Sequence, residues 1–151
     1  MQIRNGTARR ASRGVTLVEL MIVVMIVAIL ASIAVPSYQQ YVLRTNRTDA
    51  TSALLRIQAA QERFFLQNNR YSSNLSAAPP AGLGIPDVTT SGKYDLAVAL
   101  TNAAGTAYTA TARPRGGQAK DTKCAVFSID ESGRRSARDG GGADVTAECW
   151  R

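Results

Sequence analysis

The sequence predicts an α+β chain: a long, kinked N-terminal α-helix, apolar in its first half and amphipathic in its second, packed on a small antiparallel β-sheet. Three observations carry this. An apolar run of membrane length fills residues 15–35. The residues behind it, 37–68, contain no Gly or Pro and keep apolar side chains at helical spacing. From Tyr94 onward, short alternating segments broken by Gly, Asn and Asp replace the helical period, and two cysteines close the region.

From Leu20 to Val35, Ser32 is the only polar side chain. Counted from Val15 the segment has 21 residues, which as a helix spans roughly 30 Å, the thickness of a bilayer's hydrocarbon. Only a helix satisfies its own backbone groups there. Glu19 is the anomaly, since a carboxylate inside such a helix costs a few kcal/mol and points to a functional residue with a partner. Three readings compete. A plain signal anchor leaves Glu19 a tolerated interfacial residue. A secretory signal peptide uses Arg9, Arg10 and Arg13 as its basic region and Ser32-Ile33-Ala34 as its cleavage site. Against that, the apolar run is long and continues into a helical pattern. The third rests on Arg13-Gly14 followed by Val15-Thr16-Leu17-Val18-Glu19. A basic residue, a Gly and a Glu at this spacing before a membrane-length helix resemble the leader signature of type IV pilins and pseudopilins, and this reading is preferred.

The resemblance implies a division into 1–14, a leader that is removed, 15–36, a transmembrane and assembly helix, and 37–151, a periplasmic or extracellular head with the pilin fold. In that family a membrane aspartyl peptidase cuts after the Gly, here between Gly14 and Val15, and methylates the new amine on Val15. Phe is usual at that position, so Val15 departs from the pattern. Glu19 matches the family's assembly residue, thought to pair with the N-terminal amine of a neighbouring subunit. A carboxylate in low dielectric needs a cation, and cleavage creates one. Pairing with its own Val15, four residues away, is the rival arrangement. Loss of residues 1–14 removes four of the 18 basic residues and no acid, leaving 14 against 11 and +3 in place of +7. Those arginines hold the N-terminus in the cytoplasm, with Arg44 and Arg47 a weaker counter-bias. The implied location is the inner membrane of a Gram-negative-type bacterium, then the pilus at the cell surface.

Taken in order, Pro36 kinks or locally opens a helix running from about Val15 to about Leu66. Tyr38, Tyr41, Val42, Ala50, Ala53, Leu54, Ile57, Ala60 and Phe64 form its sheet-packing stripe, while Arg44, Arg47, Arg56 and Arg63 fall on solvated faces. Residues 68–92, rich in Ser, Asn, Pro and Gly, form a long surface connection with one short helical turn. Tyr94–Leu100 is a half-buried strand, 106–113 its hairpin partner, and Cys124–Ile129 a third strand. The third is closed by the type I turn Asp130-Glu131-Ser132-Gly133, and a short fourth strand lies near Arg135–Ala137.

Cys124 and Cys149, the only two cysteines, are expected to form one disulfide in an oxidising compartment, two free buried thiols being the alternative. Their placement, with the run from Ala112 to Asp121 and the closing Cys149-Trp150, also resembles the C-terminal disulfide loop of small minor pilins. No His is present, which excludes Ser-His-Asp and Cys-His devices and His-based metal sites. Catalysis, metals and cofactors are therefore not expected. Asp139, Asp144 and Glu148 lack EF-hand spacing and read as a solvated turn before a calcium site. Arg113, Arg115, Lys120 and Lys123 offer a possible anion or DNA contact, with a plain polar loop preferred. The resemblance implies a pilus subunit, a minor pilin, supporting motility, adhesion or DNA uptake. Its partners would be other pilin subunits, the prepilin peptidase, the inner-membrane assembly machinery and the bilayer. The alternatives are a type II secretion pseudopilin and a membrane-anchored binding module that never polymerises.

Overall fold

The computed structural model describes residues 14–150; Arg4, Arg9, Arg10 and Arg13 of the expected leader lie outside the described residues. Helix α1 runs from Leu17 to Asn68 with Pro36 inside it, two residues later than expected at each end. The chain divides into two compact units, one up to Gln39 and one from Gln40 onward.

In the first unit the periodicity of α1 is apolar on every side. Each large apolar side chain from Val15 to Val35 is more than half exposed, so this stretch has no intramolecular core. The hydroxyl inside the run, Ser32 Oγ, donates to Ile29 O at 2.7 Å, which hides its polarity against the backbone. A helix of this kind is stable only in lipid or among other helices.

The second unit is the α+β domain. Strands β1 (Tyr94–Leu100), β2 (Tyr108–Pro114), β3 (Val126–Asp130) and β4 (Arg135–Arg138) pair antiparallel in the order β1-β2-β3-β4. Register places Tyr94 opposite Pro114, Ala112 opposite Phe127 and Phe127 opposite Ala137. With a period of two, one sheet face presents Tyr94, Leu96, Tyr108, Ala110, Ala112, Phe127, Ile129 and Ala137, all buried. The matching stripe of α1 is Ala50, Ala53, Leu54, Ile57 and Ala60. Alanines on both sides keep the two layers close, and Leu54, Ile57 and the aromatic rings fill the space between them. Tyr38 and Tyr41, expected in this stripe, are instead exposed, because they precede the segment that the sheet covers.

The connection after α1 folds back on itself without the expected helical turn. Gln61 secures its start: fully buried, it donates to Ser72 O at 2.7 Å and accepts Ser72 N–H at 2.9 Å. Leu75, Leu83 and Ile85 then close the core. A Cβ at Gly82 would stand 2.6 Å from Ala77 O and 2.7 Å from Asn74 O, so this doubling back requires glycine. The hairpin partner begins at Tyr108, two residues later than the expected 106. Asn102 accepts the Thr106 N–H and donates to Thr106 Oγ1, which keeps Thr106 in the turn. Strand β3 starts at Val126, not Cys124, since Cys124 ends a 3-10 turn (Thr122–Cys124) that follows another at Gly116–Lys120. The expected type I turn is present, with Gly133 N–H donating to Asp130 O at 3.0 Å and Gly133 at φ +75°. A four-residue helix, α2 (Thr146–Cys149), was not expected.

Candidate functional site

Two regions gather the residues singled out in the sequence. At the start of the described chain, Gly14, Val15 and Thr16 are exposed and not helical. A Cβ at Gly14 would meet nothing within 4 Å, so the fold itself makes no demand for glycine there. Helix α1 opens on Thr16. Its carbonyl accepts the Leu20 N–H at 3.1 Å, and its Oγ1 accepts the Glu19 N–H at 3.2 Å. Thr16 is therefore an N-cap and Glu19 occupies the third helical position. The sequence reading did not single out Thr16. The Thr-x-x-Glu spacing of a capping box at 16–19 is the signal that could have found it. Glu19 also lies in the first turn of α1, where the helix dipole favours negative charge.

The second region is one end of the sheet, where β1 begins, β2 ends, β3 begins and β4 ends. It brings together Arg113, Arg115, Lys120 and Lys123, and adds Lys93 and Arg138, which the sequence reading missed. Arg115 N–H donates to Lys93 O at 2.9 Å, and Ala125 N–H donates to Arg138 O at 2.9 Å, so backbone bonds tie the basic segments to one another. Arg113 is exposed on the outer sheet face, opposite Asp95 in register. Arg115 pairs with Asp95 at 3.1 Å and Lys123 with Glu148 at 2.5 Å, all four side chains being near half exposed or more. Exposed pairs of this kind hold each other by no more than about 1 kcal/mol. Lys93 Nζ donates to Asn46 Oδ1 and Arg138 Nη1 to Gly142 O. Glycines lie among these cations along the chain, Gly116 and Gly117 between Arg115 and Lys120, and Gly140 to Gly142 after Arg138. A Cβ at Gly116, Gly117 or Gly142 would meet nothing within 4 Å, and Gly140 N–H ties the second glycine loop to Thr122 O at 2.8 Å.

The loop carrying Lys120 and Lys123 is not merely solvated. Its interior side is anchored to α1 by Gln118 and Asp121, both buried. Gln118 Nε2 donates to Leu43 O and Tyr94 Oη, both at 3.0 Å, and its Oε1 accepts from Asn46 at 2.9 Å. Burial raises the Tyr94 phenol to about 12, a shift that the Gln118 hydrogen bond opposes. Asp121 takes a two-pronged bond from Arg47, Nε at 2.7 Å and Nη2 at 2.8 Å. Arg47 was expected on a solvated face with Arg44, Arg56 and Arg63. The other three are exposed, but the Arg47 side chain is only 12% exposed and that of Asp121 3%. A period-based reading could not distinguish them, because the partner lies far away in sequence.

Cys124 and Cys149 form the expected disulfide, with Cα atoms 6.0 Å apart. It joins the second 3-10 turn to α2. Beyond it, Trp150 packs edge-on against Phe127, lies under the Arg135 guanidinium, and donates its Nε1–H to Ser136 O at 2.8 Å. Asp139 Oδ1 accepts the N–H groups of Gly141 and Ala143, and Asp144 Oδ1 that of Thr146. These carboxylates shape their own turns. No group of three or more His, Cys, Asp or Glu converges on a metal-sized site among the described residues.

Comparison with known proteins adds two family matches. A prokaryotic N-terminal methylation motif matches residues 9–35. A family described as type IV minor pilin ComP, DNA uptake sequence receptor, matches residues 36–128. A solved type IV pilin from Shewanella oneidensis is similar at 24% identity over 62% of this chain and 89% of that chain, with a TM-score of 0.46. No curated protein sequence matches the chain. The second family match covers more than half of the sequence, and the protein belongs to this family of type IV minor pilins, with a prepilin methylation motif ahead of the head domain.

Proposed function

We propose that the chain is held in the inner membrane of a Gram-negative-type bacterium as a precursor and is cut between Gly14 and Val15. It is then methylated on Val15 and assembled into a type IV pilus, where it binds DNA for uptake. The methylation motif and the uncovered apolar surface of residues 15–35 support membrane storage followed by burial among neighbouring helices. Pro36 cannot donate to Ser32 O, which makes it the weak point at which α1 bends when the helix leaves the bilayer. Glu19 pairs with the Val15 amine of a neighbour during assembly. Peptidase, other subunits and the inner-membrane assembly machinery are the partners.

The observation that supports the DNA reading is the end of the sheet where the exposed Arg113, Arg115, Lys120 and Lys123 flank Gly116 and Gly117, at which a Cβ would meet nothing within 4 Å. Phosphates need cations on flexible stems and room for close approach, and this surface supplies both. Asp95 and Glu148 are exposed partners that a phosphate can displace. The family description names a DNA uptake sequence receptor, which supports preference for particular sequences.

The test is fluorescence anisotropy of a labelled duplex against the full-length chain in detergent micelles at several salt concentrations. Four phosphate contacts give a slope of log affinity on log salt of about −3 to −4. Lys120→Ala should flatten the slope by about 1. An unchanged slope after replacing all four basic residues by Ala, with Trp150 fluorescence unaltered, overturns this placement of the site.

A further inference from the structure

We infer that Thr16 is a positioning residue for processing: its N-cap holds the helix off the Gly14–Val15 peptide bond so that the bond stays extended for cleavage. This rests on the proposed cleavage after Gly14. The argument follows from one donor. To lengthen α1 by one residue at its N-terminus, the Glu19 N–H must bond Val15 O, as each helical N–H bonds the carbonyl four residues earlier. In the structure that N–H is committed to Thr16 Oγ1 at 3.2 Å, and the first helical bond is Leu20 N–H to Thr16 O. Gly14, Val15 and Thr16 are accordingly non-helical and exposed. A further residue of helix would turn the Gly14 carbonyl into the acceptor of Val18 N–H, withdrawing the carbon that hydrolysis must reach.

The chemistry served is amide hydrolysis. Water adds its hydroxyl to the Gly14 carbonyl carbon, the C–N bond breaks, and the Val15 nitrogen leaves with a proton as an amine. A protease binds such a bond in extended form, with its backbone groups free to pair with the enzyme. Arg13, Val15 and the segment beyond Leu17 do not resist helix, and Gly14 alone is a weak barrier. The hydroxyl at position 16 supplies the stop.

The experiment uses full-length precursor in detergent micelles with a purified prepilin-class aspartyl peptidase, and reads initial cleavage rate by intact mass. Thr16→Val keeps shape and removes the oxygen. It should slow cleavage measurably and by at most about five-fold, the limit set by the change in equilibrium constant that a lost N-cap of about 1 kcal/mol produces. Thr16→Ser and Thr16→Asn, both good caps of different shape, should stay near wild type. Without peptidase, amide hydrogen exchange at Val18 should slow in Thr16→Val, as its N–H gains the Gly14 carbonyl, and not in the other two. Wild-type cleavage of Thr16→Val overturns the inference. So does loss of cleavage in Thr16→Asn with Thr16→Ser intact, which would mean that the peptidase reads the hydroxyl itself. Unchanged Val18 exchange in Thr16→Val would mean that the helix does not lengthen, and overturns the inference too. Wild-type precursor left uncut after Gly14 sinks the processing reading and this inference with it, while the exchange measurement still reports the cap separately.

Discussion

Arg47→Met tests whether the basic loop is held by a buried ion pair. The substitution keeps an unbranched apolar stem and removes the guanidinium. It leaves Asp121, with a side chain 3% exposed, facing only Gln118 Nε2 at 3.5 Å. Stranding one charge of a buried pair costs about 3–5 kcal/mol. The 12% exposure of Arg47 admits some water, which places the expected loss near the lower bound, about 3 kcal/mol. For a domain of this size each kcal/mol is worth about 4 °C, so the midpoint should fall by about 12 °C. The single tryptophan, Trp150, sits in the head against Phe127, so its fluorescence reports head unfolding without signal from the apolar half of α1. Replacing both partners, Arg47→Met with Asp121→Leu, should recover much of the loss, since a buried pair exchanged whole for apolar groups is often nearly neutral. A single variant within 0.5 kcal/mol of wild type, or a double variant no better than the single, would refute the reasoning. The pair would then be behaving as a surface contact.

Other outcomes follow from the same structure. Cys124→Ser with Cys149→Ser should lower head stability by about 3–4 kcal/mol through the 25-residue separation that the bridge closes, measured by denaturant titration of Trp150 fluorescence; an unchanged midpoint would contradict it. Glu19→Gln should leave the melting of the head unchanged and cut the ratio of this protein in sheared filaments to that in membranes, with cleavage after Gly14 still visible by intact mass. Equal incorporation of the variant would remove Glu19 from assembly. Burial pushes the Asp130 carboxyl up, but hydrogen bonds from Ser132 and Arg134 and the Arg134 charge outweigh it and hold the group below the usual carboxylate range. A depressed carboxylate contributes stability above its unfolded value, near 3.9, and loses it as pH falls through the lower folded value. Asp130→Asn should therefore be less stable than wild type at neutral pH, with the gap shrinking progressively as pH falls below about 4; a gap that does not shrink there would assign the effect to turn geometry instead.

The one-dimensional pattern was enough for the main elements that depend on periodicity and on near neighbours, although it missed the Thr16 cap and placed the exposed Tyr38 and Tyr41 in the buried stripe. An unbroken apolar run of membrane length forces a helix whatever surrounds it, and α1 indeed starts and ends within two residues of the expected bounds. Alternation placed β1 from Tyr94 to Leu100, and the Asp130–Gly133 turn followed from its local chemistry. Cysteine count and compartment sufficed for Cys124–Cys149. Tertiary structure alone decided which polar residues are interior. Gln61 and Gln118 are indistinguishable from surface glutamines in sequence, and Arg47 from Arg44, because burial and pairing come from chain segments 11, 75 and 74 residues away. It also gathered Lys93 and Arg138 with Arg113, Arg115, Lys120 and Lys123, which antiparallel register brings to one end of the sheet. Helix and strand periods are local consequences of backbone geometry, whereas the partner of a charged side chain is set by how distant segments are laid side by side.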